Sequence, residues 1–124
     1  MEHGMQLSIP AQTEDALVAR MALSGAGALA GLDVDLLGDL RTVTDECIDC
    51  LRHQPNAPAR VRVEAGIADG RFQLAFEAEE RGAAPAREPL DLEITRGVLE
   101  TLMPDVRLLT DAGGVYRIEC SMPV

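Results

Sequence analysis

Apolar and polar residues alternate in five short stretches of the chain, and this period of two predicts β-strands. The stretches are residues 6–10, 59–65, 71–77, 106–110 and 115–120. Asp69 and Gly70 lie between the second and third stretches, and an Asp-Ala-Gly-Gly sequence, residues 111–114, lies between the last two. Because such turn residues between alternating runs are typical of β-hairpins, we predict two hairpins.

Three longer stretches space their apolar residues as an α-helix does. They are residues 15–29, 33–53 and 90–103. In the second stretch, for which Asp33 or Asp35 is the expected N-cap, the apolar steps mostly alternate between four and three residues. This spacing predicts one continuous apolar stripe, formed by Leu36, Leu37, Leu40, Val43, Cys47, Cys50 and Leu51.

The resulting order of elements is β-α-α-β-β-α-β-β, within a single domain that spans residues 1–124. Hairpins of adjacent strands, with helices grouped between them, predict an α+β two-layer sandwich. We expect a mixed, mostly antiparallel sheet with all the helices on one face. Residues 79–88 are polar and rich in Gly, Ala and Pro, so they are predicted to form a loop.

Composition narrows the choice of partners and compartment. Hydrophobic residues make up 47% of the chain but aromatic residues only 2%, so the core must be largely aliphatic. The net charge of -10 argues against nucleic acid or an anionic membrane as the main partner. No apolar run approaches the roughly 20 residues of a membrane-spanning helix. The N-terminal sequence MEHGM lacks the basic region of a signal peptide, so we expect a cytoplasmic protein.

The candidate chemistry lies in residues 44–53, TDECIDCLRH, in the second predicted helix. On a helical wheel, Asp45, Asp49 and His53 lie on one side, opposite the apolar stripe. One interpretation is a solvated face in which Asp49 pairs with Arg52, three residues later. The other is that the two carboxylates belong to a metal site or form one wall of a nucleotide pocket.

The CxxC pair in the same stretch, Cys47 and Cys50, belongs to the apolar stripe and is predicted to lie in the core. A thioredoxin-like pair would stand at the start of a helix, where the helix dipole lowers the pKa of a thiol. A zinc site would need two further ligands, and only Cys120, His53 and His3 are available.

The order of elements and the second helix resemble the small serine-kinase anti-sigma factors. These proteins have the Bergerat-type ATPase fold of sensor histidine kinases and DNA gyrase. The resemblance covers nearly the whole chain and is carried by four features. They are an opening Leu-Ser-Ile-Pro strand, Arg20 in the first helix, the motif at residues 44–53 and the closing hairpin at residues 111–115.

The resemblance assigns roles to the acidic side of the second helix. Asp45 falls where the family has the general base for an incoming serine hydroxyl, and Asp49 falls where it has a magnesium ligand. His53 matches the histidine that often ends the motif. ATP and magnesium are the implied cofactors, in a cleft between these side chains and residues 79–97.

The glycine-rich segments of the family are largely missing from this chain. Glu79 is the acid nearest the position of the family's adenine-binding Asp, and only Gly82 remains beside it. Gly97 stands alone in the segment where backbone N–H groups would receive phosphates. We therefore expect the scaffold to be present and the nucleotide site to be eroded.

Three functions follow from these observations. The first is a regulatory protein of the anti-sigma type, an ATP-dependent serine kinase that binds a sigma factor or its STAS-type antagonist. The second keeps the fold and the partner but acts by binding alone. The third is a scaffold or dimerisation module derived from a sensor histidine kinase. The resemblance also implies a homodimer formed through the first helix and strand.

Overall fold

Strands and helices follow one another in the predicted order in residues 2–124, the part of the chain that the computed structural model describes. The elements are β1 (Glu2–Pro10), α1 (Ala16–Leu29), α2 (Val34–Arg52), β2 (Pro58–Ala68), β3 (Arg71–Arg81), α3 (Leu92–Leu102), β4 (Asp105–Asp111) and β5 (Gly114–Pro123). A single 3₁₀ turn, Thr13–Asp15, leads into α1. The Asp33 carboxylate accepts a hydrogen bond from the Leu36 N–H at 2.9 Å, so Asp33 is the N-cap of α2.

The five strands form one sheet in the order β1-β2-β3-β5-β4. Every neighbouring pair is antiparallel, so the sheet described by residues 2–124 contains none of the parallel pairing that a mixed sheet would have. Both predicted hairpins are present. Asp69 and Gly70 join β2 to β3 with φ of 53° and 69°, the left-handed backbone that a two-residue hairpin turn requires.

The helices pack on one face of this sheet, and the class is α+β as predicted. That face carries the buried side chains of Val61, Val63, Phe72, Phe76 and Ile118. Helix α1 lies over β1 and β2, α2 lies over the three central strands, and α3 lies beside β4. Since α1 and α3 each contact α2, α2 is the middle helix of the layer.

Strand β3 is longer than the alternating pattern indicated, and the predicted loop at residues 79–88 begins too early. Glu79 still pairs with Arg60 of β2, and Arg81 pairs with Pro58. The chain leaves the sheet at Gly82, which has a φ of 80°. The charged residues 79–81 suggested a loop in the sequence. They belong instead to a strand with one face in solvent, where charged side chains are common.

Gln54 joins the end of α2 to the β4–β5 hairpin from a buried position. Its Nε2 donates to the Cys50 carbonyl at 2.8 Å, and its Oε1 accepts from the Val115 N–H at 2.9 Å. Gly114 packs closely against this side chain, because a Cβ at position 114 would lie only 2.5 Å from Gln54 Oε1. This contact fixes the position of the hairpin against the helix layer.

Replacing Gln54 with Ala should lower the free energy of unfolding by about 2 kcal/mol, because the buried Val115 N–H loses its acceptor. Urea denaturation measures this difference. Gln12→Ala is the matched control, since Gln12 is exposed and its side chain forms no capping bond. It should change stability by less than about 0.5 kcal/mol. Equal losses in the two variants would contradict the role of Gln54.

Candidate functional site

The acidic side of α2 borders a cavity of about 210 Å³ between α1 and α2. The lining residues are Thr13, Ala16, Arg20, Asp45, Ile48 and Asp49. The cleft implied by the family resemblance would instead be bordered by residues 79–97, and none of them lines this cavity. Asp45 and Asp49 are therefore brought together beside a hollow, but its other wall is the start of α1 and the turn before it.

Asp45 is held by Arg20 of α1. The Arg20 Nη1 lies 3.1 Å from each of the two carboxylate oxygens of Asp45. This pair links two helices across 25 sequence positions and neutralises the acid. Both carboxylate oxygens of Asp45 are therefore engaged by a side chain of the protein itself.

Asp49 is paired within its own helix. Its Oδ1 lies 3.2 Å from Arg52 Nη1, and Arg52 also donates through Nε to the Ala11 carbonyl at 3.0 Å. The Asp49 side chain is 51% exposed. This arrangement is the solvated Asp–Arg face that the sequence offered as the alternative to a metal site.

His53 is the C-cap residue of α2 and does not line the cavity. Its Nδ1 lies 2.7 Å from the carbonyl oxygen of Glu88, and Arg87 donates to the carbonyl of Arg52 at 3.4 Å. These two contacts attach the segment after β3 to the end of α2. His53 is thus a connection between the helix and this segment.

Glu79 lies on the opposite face of the sheet from α2. Its carboxylate accepts from the Ser8 hydroxyl at 2.6 Å and lies 3.6 Å from Arg62. Both partners belong to the face without helices. The structure therefore separates Glu79 from Asp45 and Asp49 by the thickness of the sheet.

The two remaining glycines have different surroundings. Gly82 makes the turn after β3, where its N–H donates to Ala57 O at 2.8 Å and a Cβ would lie 2.6 Å from Asn56 Oδ1. Gly97 is exposed in the middle of α3, and a Cβ there would meet no atom within 4 Å. Of these two residues, only Gly82 occupies a position that requires glycine.

The first turn of α3, where a phosphate would meet free N–H groups in a nucleotide site, is capped by the chain itself. The Asp91 carboxylate accepts from the Glu93 N–H at 2.9 Å. Glu93 adds a second acid to the same turn. Two carboxylates at this helix end repel an incoming phosphate.

Glu46 is an acid of α2 to which the sequence pattern assigned no role. Burial, and then the nearby carboxylates of Asp49 and Asp45, raise the pKa of Glu46 above its ordinary value of 4.5. The signal in the sequence is its spacing, since Glu46 precedes His53 by seven residues and so lies on the same side of the helix.

The cysteine pair lies in the core, as predicted. Cys47, Cys50 and Cys120 are all buried free thiols. Burial raises the pKa of Cys50 to about 11, and burial together with the neighbouring Cys120 raises that of Cys47 well above its ordinary value. Thiols in such surroundings are poor nucleophiles at neutral pH. Within residues 2–124, no group of three or more His, Cys, Asp or Glu side chains is arranged to hold a metal ion.

The open face of the sheet has a shallow cavity of about 270 Å³, bordered by charged side chains. Arg117 lies 2.8 Å from Glu119 and 3.4 Å from Glu77, and Arg62 binds Glu77 and Glu64. Alternating charges on adjacent strands stabilise this face of the sheet. They satisfy one another, so the cavity presents no free charge of one sign.

No protein-family model matches the chain, and no curated protein matches it at a significant level. In residues 2–124, no helix has the length and apolar character needed to cross a membrane. The resemblance to the anti-sigma factors therefore rests on the element order and the residues described above.

Replacing Glu46 with Gln should stabilise the protein at pH 7. Because the pKa of Glu46 is raised in the folded state, that state binds more protons than the unfolded chain at pH values just above 4.5. Stability from neutral Glu46 is therefore complete below pH 4.5 and is lost as the pH rises through the folded pKa. Gln stays neutral, so the advantage of Glu46→Gln should disappear at low pH.

Urea denaturation at pH 7 and at about pH 4 tests this expectation. Glu88→Gln is the control, since Glu88 is exposed and bonds only through its backbone carbonyl. A Glu46→Gln variant that is less stable than the parent at pH 7 would show that its carboxylate makes a favourable contact.

Proposed function

We propose that this chain is a regulatory protein of the anti-sigma type, on a Bergerat-type ATPase scaffold, that acts in the cytoplasm by binding a protein partner without phosphoryl transfer. The partner is a sigma factor or its STAS-type antagonist. One observation carries the proposal: Asp45 and Asp49 are each paired with an arginine of the chain beside a cavity whose other wall belongs to α1 and the turn before it.

The charges around α2 and α3 support binding over catalysis. Phosphoryl transfer needs a base within reach of the acceptor hydroxyl and cations that neutralise the phosphates. Here Arg20 occupies both oxygens of the residue at the base position, Asp45. A triphosphate would also approach Asp91 and Glu93 in a chain whose net charge is -10. Magnesium would have to offset all of these carboxylates as well as the phosphates.

The surface of α1 gives the proposal a site for a protein partner. Leu17, Val18, Met21 and Leu29 are large apolar side chains that remain exposed on this helix. Exposed apolar residues gathered on one element mark protein-binding surfaces more often than catalytic ones.

Magnesium-ATP at about 1 mM should leave the melting temperature of the protein unchanged, because a ligand stabilises only a state that it binds. Asp49→Asn tests whether one charge alone blocks the site. It restores the amide of the resembled family, and we expect no gain in affinity since the glycine-rich segments remain absent. Magnesium chloride without nucleotide is the control. An upward shift of the melting temperature by several degrees with ATP would contradict this expectation and favour the kinase interpretation.

A two-hybrid matrix against the sigma factors and STAS-domain proteins encoded by the same genome tests the partner. We expect at least one interaction that purified proteins reproduce without ATP. Binding to a histidine-containing phosphotransfer protein instead would favour the scaffold derived from a sensor kinase. Loss of binding when ATP is removed would contradict the proposal.

A further inference from the structure

Helix α1 is apolar on its exposed side as well as on its buried side. The exposed stripe consists of Leu17, Val18, Met21, Gly25, Ala28 and Leu29. At about 100° per residue these positions fall within an arc of roughly 120°. The buried side consists of Ala16, Ala19, Leu23, Ala26 and Gly27. The only charged residue of the helix is Arg20, which is paired with Asp45.

A helix on the surface of a soluble domain normally has a polar outer side, because water solvates polar side chains at no cost. The stripe on α1 extends over twelve residue steps, which is about 18 Å along the helix. Exposed apolar residues that recur along one side of a helix over this length are more typical of a binding surface than of single scattered residues. Its length suits three to four turns of a partner helix.

Acidic residues stand at both ends of the stripe. Glu14 precedes α1, and Asp33 and Asp35 follow it at the start of α2; all three are exposed. The basic residue on the helix, Arg20, is already neutralised. A partner whose apolar side lies on this stripe would therefore meet negative potential at each end.

Charge complementarity separates the candidate occupants. If a second copy placed its α1 on this helix, acids would face acids at the ends, whether the two helices ran parallel or antiparallel. An anionic membrane surface would be repelled in the same way. A basic amphipathic segment would gain attraction at both ends and bury the stripe between them.

We propose that the exposed stripe of α1 docks an amphipathic helix of a partner protein that carries basic residues at both ends of its apolar side. This inference names the surface and the partner chemistry of the binding function proposed above, and it rests on that function. Gly25, near the middle of the stripe, has open space around its Cβ position, so a partner side chain can approach the backbone there.

Fluorescence anisotropy with a labelled synthetic peptide of about 18 residues tests the inference. The peptide carries Leu at helical spacing and two Arg at each end, and a matched peptide has Glu in place of Arg. We expect the basic peptide to bind and the acidic one not to bind. The affinity of the basic peptide should fall with rising salt, since exposed charges are screened.

Met21→Asp should weaken binding of the basic peptide roughly tenfold or more, because it places a charge in the centre of the stripe. Ile94→Asp on α3 is the matched control: Ile94 is 66% exposed and Met21 is 68% exposed, and Ile94 lies outside the stripe. Met21→Gln repeats the test if the charged variant unfolds. Equal binding by the Met21 and Ile94 variants would overturn the inference.

The acidic ends are tested separately by combining Glu14→Gln with Asp35→Asn, which leaves the Asp33 cap intact. Weaker binding of the basic peptide with a smaller salt dependence supports the inference. Equal binding of both peptides, or tighter binding to anionic vesicles than to the peptide, overturns it. So does self-association in sedimentation velocity that Met21→Asp abolishes. Binding of ATP would contradict the proposed function but not this inference, since the peptide measurement is made without nucleotide.

Discussion

The packing of α2 against the sheet is the contact on which the rest of the structure depends. Val43, Cys47 and Leu51 are fully buried in the same core as Phe72 and Phe76 of β3. Because these residues recur at helical spacing, only one orientation of α2 about its own axis buries all of them. That orientation turns Asp45 and Asp49 away from the sheet and toward α1. The position of every candidate site residue on α2 follows from this hydrophobic interface.

Around this constraint several arginines pair with nearby carboxylates, while the chain as a whole keeps a net charge of -10. Arg20 reaches Asp45 from the neighbouring helix, Arg52 pairs with Asp49, and arginines on the open face of the sheet pair with glutamates on adjacent strands. Exposed pairs of this kind contribute little stability each, usually below about 1 kcal/mol. The pairs at Asp45 and Asp49 occupy the two carboxylates to which the family resemblance assigns a role in a nucleotide site.

These ion pairs lie away from one apolar and exposed surface of the molecule. On the outer side of α1, Leu17, Val18 and Met21 are exposed and no other element within residues 2–124 covers them, and acids are present at both ends. Burial of apolar area there would stabilise a complex, while the acids would set its orientation and exclude partners of the same charge.

What the sequence by itself determined is local. The two hairpins, the three helices and the burial of Cys47 and Cys50 were predicted because each depends on neighbours within a few residues or on a repeated period. The N-cap of α2 was narrowed to Asp33 or Asp35. The fully antiparallel strand order, the extension of β3 through Arg81 and the pairing of Gln54 with Val115 were not predicted. They depend on segments far apart in the chain, and the pattern of a single segment does not specify its partner.

The candidate site divides in the same way. The helical wheel correctly placed Asp45 and Asp49 on one side of α2, since their relative position depends only on the geometry of the helix. Only the tertiary structure decided that Arg20 holds Asp45 and that Glu79 lies across the sheet. A strand places alternate side chains on opposite faces, so the face on which Glu79 lies was decided once β3 continued in register past residue 77.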